Sequence, residues 1–146
     1  MSRELVLVVS DAPEPADLAP IRQGLDRYNK ETSGISDRHT LAVFARDPDT
    51  HDVVGGVIGR TSRGLLFIDV FYLPESLRGK GLGSALLGRM EAEGRLRGCY
   101  NGILDTNSFQ APEFYKRNGW QLFGAIDCEP PGTQRMFFTK RLLPES

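Results

Sequence analysis

The residues best suited to chemistry lie together in one glycine-rich segment. It lies between an apolar run at residues 65–73 and a helical repeat of apolar residues, and it reads Arg78-Gly79-Lys80-Gly81-Leu82-Gly83-Ser84. Glycines at the start of a helix leave backbone N–H groups without partners and without side chains in front of them. Such a turn binds anions, phosphate above all. The segment therefore predicts a phosphate-binding turn, the alternative being a glycine turn that binds nothing.

Two familiar phosphate-binding motifs do not fit this spacing. A P-loop needs Ser or Thr directly after its Gly-Lys pair and a glycine five residues before that pair, whereas Gly81 follows Lys80 and Pro74 stands at the earlier position. A dinucleotide fingerprint that starts at Gly79 needs another glycine at the position of Ser84. The segment is therefore neither a P-loop nor a dinucleotide-binding fingerprint.

The pattern of apolar residues predicts the elements that position the turn. Strands are predicted at residues 5–9, 40–46, 53–61, 65–73, 100–105, 120–126 and 135–140. Helices are predicted after an N-cap at Asp17, from Leu82 to a stop at Gly98, and over residues 111–118. Residues 29–38 are predicted to form a polar loop or a short second helix. Residues 65–73 are apolar apart from Asp69, which predicts a strand at the centre of the sheet, covered on both faces.

Composition narrows the class of protein. The chain has 146 residues, 40% of them hydrophobic, and a formal net charge of −1, which predicts one globular mixed α/β domain over residues 1–146 and no nucleic-acid partner. No apolar run approaches the roughly 20 residues that span a bilayer, and residues 5–9 are too few for a signal peptide, so we expect a cytoplasmic protein without a membrane partner. Two cysteines and two histidines without ligand spacing predict no metal site.

Two motifs in register carry a resemblance to a known family. The first is Arg/Gln-x-x-Gly-x-Gly/Ala, and the second is Ala-x-x-x-Tyr followed by Gly-aromatic. The matching residues are Arg78, Gly81, Gly83, Ala111, Tyr115, Gly119 and Trp120. In these motifs the sequence resembles the GCN5-related N-acetyltransferases (GNAT), and it looks like a small, single-domain bacterial branch of that family.

The resemblance implies a fold and a cofactor. The fold is the GNAT-like acyl-CoA N-acyltransferase fold, with a central, mostly antiparallel sheet of six to seven strands flanked by about four helices. The cofactor is acetyl-CoA (coenzyme A), whose pyrophosphate would lie on the amides of the glycine turn and whose pantetheine would meet Asn107 or Ser108. The residues that the resemblance assigns to cofactor binding are Tyr72, Leu73, Arg78, Gly79, Lys80, Gly81, Leu82, Gly83, Ser84, Asn107, Ser108, Ala111 and Phe114.

The resemblance also implies a reaction, the transfer of an acetyl group to a primary amine of a small molecule by direct attack in a ternary complex. An alkyl ammonium, with a pKa of about 10.4, must lose a proton before it attacks. Backbone amides around Tyr72 and Leu73 would stabilise the oxyanion, and Tyr115 would protonate the leaving thiolate. Asp69 is a candidate general base, directly or through water, or else a structural acceptor or the partner of an arginine. Asp105 and Glu113 are weaker candidates for the base.

Two other functions stay open at this point. One is a non-catalytic module that binds or senses acyl-CoA, and the other is a protein or peptide N-acetyltransferase. A proton donor beside the sulfur is of no use to a module that only binds, so Tyr115 favours an enzyme. The resemblance also suggests a homodimer, and it requires no metal.

Overall fold

The computed structural model describes residues 3–144, which form two compact units, one that ends at Ser36 and one that begins at Asp37. The first unit contains helix α1, Pro15–Ser33. Glu14 is its N-cap, and the carboxylate of Asp17 accepts a hydrogen bond from the Glu14 N–H at 3.1 Å. The prediction of Asp17 as N-cap is therefore wrong by three positions, because Asp17 is the third-position partner in a capping box. Pro15, at the first helical position, is where proline suits a helix best.

The ends of this unit differ from the sequence prediction in two further ways. Helix α1 runs on through Ser33 to Gly34, whose φ of +80° ends it, so residues 29–33 are helical rather than a loop. The predicted strand at residues 5–9 is not formed, and its side chains, Leu5 to Val9, are exposed. Branched apolar residues report strand propensity only, whereas a strand also needs a hydrogen-bonded neighbour.

The second unit is built on a six-stranded sheet in the order β1-β2-β3-β4-β6-β5. The strands are β1 His39–Arg46, β2 Val53–Ser62, β3 Leu65–Tyr72, β4 Asn101–Asn107, β5 Gln121–Cys128 and β6 Thr133–Arg141. Every neighbouring pair is antiparallel except β3 with β4. These strands and hairpins confirm the six predictions that follow residue 39, and β3 lies in the interior of the sheet as expected.

Helices α2, Leu82–Leu96, and α3, Pro112–Arg117, cover one face of this sheet, which we call the helix face. Its buried residues alternate along the strands, for example Leu66 and Ile68 on β3. The prediction that β3 is covered on both faces is wrong at its carboxyl end, where Val70 is 54% exposed and Tyr72 57% exposed. Among residues 3–144, none of the helices combines the length and the hydropathy of a membrane span.

The feature that shapes the site is a separation of β3 from β4. Their parallel pairing runs only from Leu65 opposite Asn101 to Ile68 opposite Leu104, although both strands continue beyond it. On its other side β3 carries a bulge against β2 at the same point, between Ile58 and Gly59. We call the gap that opens between the carboxyl ends of β3 and β4 the strand gap.

Candidate active site

The glycine turn has the open amide geometry that its sequence predicts. Gly79 and Gly81 have φ values of +76° and +81°, a region that glycine adopts without strain. Gly81 is the N-cap of α2, and the first helical hydrogen bond runs from the Ala85 N–H to the Gly81 carbonyl at 3.1 Å. The amides of residues 82–84 have no protein acceptor among the described residues, and the first turn holds no acidic side chain. The turn therefore has donors available for an anion.

The two basic residues of the turn differ in what they contact. Arg78 donates from Nε to the Leu73 carbonyl at 2.8 Å, which fastens the turn to the end of β3. Lys80 is exposed and makes no ion pair within residues 3–144. A Cβ atom at Gly79 or Gly81 would meet no described atom within 4 Å, so the space in front of the turn is open. Arg78 thus positions the turn, whereas Lys80 has its charge available for a bound anion.

Close packing joins the start of α2 to α3 and β3. A Cβ atom at Gly83 would lie 3.2 Å from Cε1 of Phe114 and 3.7 Å from Cδ1 of Leu73. The rings of Phe114 and Phe71 meet edge to face, with centroids 5.7 Å apart. The glycine turn, the end of β3 and helix α3 are therefore held at one end of the sheet, beside the strand gap.

Tyr115 lies in the middle of this packing. Its side chain is 7% exposed, and burial raises the pKa of its phenol to about 12. Its ring contacts four other aromatic rings at centroid distances of 5.2 to 6.5 Å, those of Phe71, Phe114, Trp120 and Phe138. The phenol is therefore protonated throughout the ordinary pH range and is available as a hydrogen-bond donor.

The end of β4 distinguishes the two residues predicted to meet the pantetheine. The Ser108 hydroxyl accepts a hydrogen bond from the Gln134 N–H at 2.9 Å, which ties it to β6. The Asn107 side chain makes no hydrogen bond to the described residues, while its backbone N–H donates to Oε1 of Gln110 at 2.8 Å. Gln110, which the sequence analysis did not single out, thus shapes the turn that presents Asn107. Its only signal in the sequence is its position directly before Ala111, the first residue of the second motif.

Asp69 is the first residue of β3 beyond the paired segment, and it points away from the helix face. Its Oδ1 lies 2.5 Å from Nη1 of Arg60, and the two side chains are 44% and 40% exposed. Of the roles predicted for Asp69, the structure shows that of partner to an arginine, and it identifies that arginine as Arg60. The role of Asp69 as general base stays a prediction.

The two weaker candidates for the general base also pair with basic side chains. Asp105, the first residue of β4 beyond the paired segment, accepts a hydrogen bond from Nε of Arg135 at 2.6 Å. Glu113 pairs with Lys116 at 3.3 Å on the surface of α3. Within residues 3–144 there is no group of three or more His, Cys, Asp or Glu residues that could hold a metal ion.

The sequence is similar to those of known acetyltransferases. Residues 9–120 match the model of the acetyltransferase (GNAT) family. Acetyltransferase Atu2258 of Agrobacterium fabrum is 34% identical over 134 residues, 92% of this chain and 97% of that protein. Blasticidin-S acetyltransferase of Streptomyces morookaense is 37% identical over 92 residues, 62% of this chain and 68% of that protein.

Solved structures give the same assignment. The crystal structure of an Agrobacterium tumefaciens protein assigned to the acetyltransferases has a TM-score of 0.87 at 33% identity, with 94% of this chain and 99% of that chain covered. An acetyltransferase from Bacillus cereus has a TM-score of 0.78 at 30% identity, with 92% and 98% covered. With both motifs placed around one strand gap and the fold shared along nearly the whole length, the chain belongs to the GNAT family and is an acetyl-CoA-dependent acetyltransferase.

Proposed function

We propose that this acetyltransferase transfers the acetyl group of acetyl-CoA to a primary amine of a small molecule, by direct attack of the amine while both substrates are bound. The observation that carries the proposal is the convergence, at one strand gap, of a glycine turn with unpartnered amides and a buried phenol. Two strands that separate also leave backbone donors and acceptors unpaired along the gap, where a thioester can be held by main-chain hydrogen bonds.

The cofactor fits the residues present. The unpartnered amides of residues 82–84 suit a pyrophosphate, and the open space before Gly79 and Gly81 lets it approach the backbone. Lys80 supplies a positive charge at the rim. Asn107, whose side-chain amide is not engaged, is the better of the two pantetheine candidates, and Ala111 and Phe114 follow it in the chain, at the N-cap and in the first turn of α3. When bound, acetyl-CoA supplies the activated acetyl group and a thiolate leaving group.

The residues around the gap then have separate tasks. Amides near Tyr72 and Leu73, at the end of β3, would stabilise negative charge that develops on the acetyl oxygen. Tyr115 would donate a hydrogen bond, and finally a proton, to the departing sulfur. Asp69 would accept the proton of the incoming ammonium, directly or through water, from the opposite face of the sheet.

The choice of a small-molecule acceptor rests on one relative. Blasticidin-S acetyltransferase, by its name, acts on a small molecule, and it shares 37% identity over 92 residues. Both cysteines of this chain are free, which agrees with the reducing cytoplasm that we propose for it. A homodimer is part of the same proposal, and light scattering of the purified protein would measure it.

The experiment that tests the cofactor site is calorimetric titration with acetyl-CoA, coenzyme A, ATP and NAD in parallel. We expect the two coenzyme A species alone to bind. Gly81→Val should weaken that binding at least tenfold, because a branched side chain fits poorly at a φ of +81° and stands before the amides. Gly88→Val, on the exposed side of the same helix and with open space around it, is the matched control and should bind as the wild type does.

Two results would contradict the proposal. Equal affinity in a folded Gly81→Val protein would place the pyrophosphate elsewhere. Release of free thiol from acetyl-CoA with peptides but with no small amine would replace the small-molecule acceptor by a protein one.

A further inference from the structure

The face of the sheet opposite the helix face carries two ion pairs at the mouth of the strand gap. Asp69 and Asp105 are the first residues past the last paired positions, Ile68 and Leu104, so they occupy equivalent positions on β3 and β4. Their neighbours Ile68 and Leu104 are buried against the helices, and side chains alternate along a strand, so both carboxylates lie on the other face. Each is held by an arginine.

These pairs make the mouth of the gap electrically balanced. Arg60 and Arg135 supply two positive charges, and Asp69 and Asp105 supply two negative ones. A polycationic acceptor would find no net negative charge there, and a lone ammonium would meet at Asp69 a carboxylate whose charge Arg60 already balances. An acceptor with both an ammonium and a carboxylate can satisfy both members of a pair at once.

Arg60 is the better placed of the two arginines to contact such a carboxylate. Its guanidinium carbon lies 4.2 Å from the centroid of the Phe67 ring, and this cation–π contact holds the guanidinium over the ring. In the described structure its contact with Asp69 uses Nη1 alone, so Nε and Nη2 remain as donors for a carboxylate. Arg135 instead directs both Nε and Nη2 to the same oxygen of Asp105. The edge formed by Nε and Nη2 is thus open in Arg60, whereas Asp105 occupies the same edge of Arg135.

We infer that Arg60 is a specificity-determining residue and that the acceptor carries a carboxylate near its reactive amine, as an amino acid does. The carboxylate binds the free edge of Arg60, and the ammonium lies against Asp69 at the mouth of the gap. This inference rests on the proposed function and adds the chemical class of its acceptor. It requires Arg60 to contact the substrate but not the transferred acetyl group.

The test uses acceptors in matched pairs, each amine as its free carboxylic acid and as its carboxamide. Suitable pairs are glycine, β-alanine, 4-aminobutanoate and L-lysine with their amides, and thiol release gives kcat/KM, corrected for the fraction of neutral amine. We expect the wild type to prefer the acid of at least one pair by about tenfold or more, the effect of one charge-assisted contact. Arg60→Gln should remove that preference by raising KM for the acid, with the KM for acetyl-CoA unchanged.

Matched variants make the outcome specific. Arg60→Lys keeps the charge without the planar fork and should retain only part of the preference. Arg135→Gln removes the other arginine of the same face and should retain all of it. Equal turnover of acids and amides by the wild type, or a preference that survives Arg60→Gln, would overturn the inference while leaving the acetyltransfer to amines intact. If acetyl-CoA binds but no amine in either form releases thiol, the proposed amine acceptor fails as well.

Discussion

Replacement of Tyr115 by phenylalanine removes one oxygen from the candidate site and nothing else. The ring contacts four aromatic neighbours, all of which phenylalanine preserves, so the fold should persist. If the phenol assists departure of the thiolate, kcat should fall while the Kd for acetyl-CoA stays nearly the same. Removal of a group that acts only in the transition state lowers kcat and leaves the binding of the ground-state substrate unchanged.

The buried position of the phenol sets the size of the effect. Loss of a positioned acid typically costs about 10²- to 10⁴-fold. Transfer of a proton from a phenol of pKa about 12 to a thiolate whose thiol has an ordinary pKa is uphill by roughly 5 kcal/mol. The phenol would therefore contribute mainly a hydrogen bond, and proton transfer would follow only if burial beside the phenol also raised the basicity of the departing thiolate. We expect the low end of the range, a loss of about 10²-fold in kcat.

The assay is thiol release at saturating acetyl-CoA and amine, over a range of pH. Because the pKa of Tyr115 is raised, the wild-type rate should show no loss that belongs to this phenol up to about pH 11. A kcat for Tyr115→Phe within about threefold of wild type would remove the phenol from the reaction. A wild-type rate that falls with a pKa near 10, with that fall absent from the variant, would contradict the buried environment.

Two further predictions concern stability. Between pH 10 and 12 the Tyr115 phenol ionises in the unfolded chain while it stays protonated in the folded one, because burial raises its pKa to about 12. The free energy of unfolding should therefore fall by up to ~3 kcal/mol more in wild type than in Tyr115→Phe over this range. Urea unfolding at several pH values measures the difference, and equal pH dependence in the two proteins would refute it. Glu91→Gln should lower the free energy of unfolding by about 3–5 kcal/mol, because the Glu91 side chain is 5% exposed and pairs with Lys140 at 2.6 Å. Glu93→Gln, in a surface pair with Arg97, should lower it by less than about 1 kcal/mol. Similar urea midpoints for the two variants would be the contrary result.

Most strands and helices of the second unit can be predicted from the sequence, because each depends on residues that are neighbours in the chain. The runs at residues 40–46 and 53–61 are rich in strand-forming residues and are joined by a polar turn. Helix α2 carries its apolar repeat from Leu82 onward, with glycines at both ends. The N-cap of α1 is predicted at Asp17, three positions too late, because the prediction uses side-chain type alone. Acidic residues are common both at the N-cap and at the third helical position, so side-chain type does not distinguish the two. Residues 5–9 have the composition of a strand, but pairing depends on a neighbour that composition does not specify.

The candidate site was predictable in its residues and not in its geometry. The two motifs located Gly81 and Tyr115, yet neither motif contains Arg60. The contact of Arg60 with Asp69 depends on the register of the β2–β3 hairpin and on a bulge within it. A one-residue change of register would direct the two side chains to opposite faces, so the pair cannot be deduced from spacing alone.

The bulge also explains why the strand gap opens where it does. A Cβ atom at Gly59 would lie 1.9 Å from the Phe67 carbonyl oxygen, so the approach of β2 to β3 at this point is possible only for glycine. The register slips between Ile58 and Gly59, which leaves Asp69 as the extra residue of β3, and a bulge bends its strand and increases the local twist. On the other side, β3 leaves β4 after Ile68, the residue just before Asp69. One glycine on a neighbouring strand thus permits the bend that turns β3 away from β4, and the same bend places Asp69 beside Arg60 at the mouth of the gap.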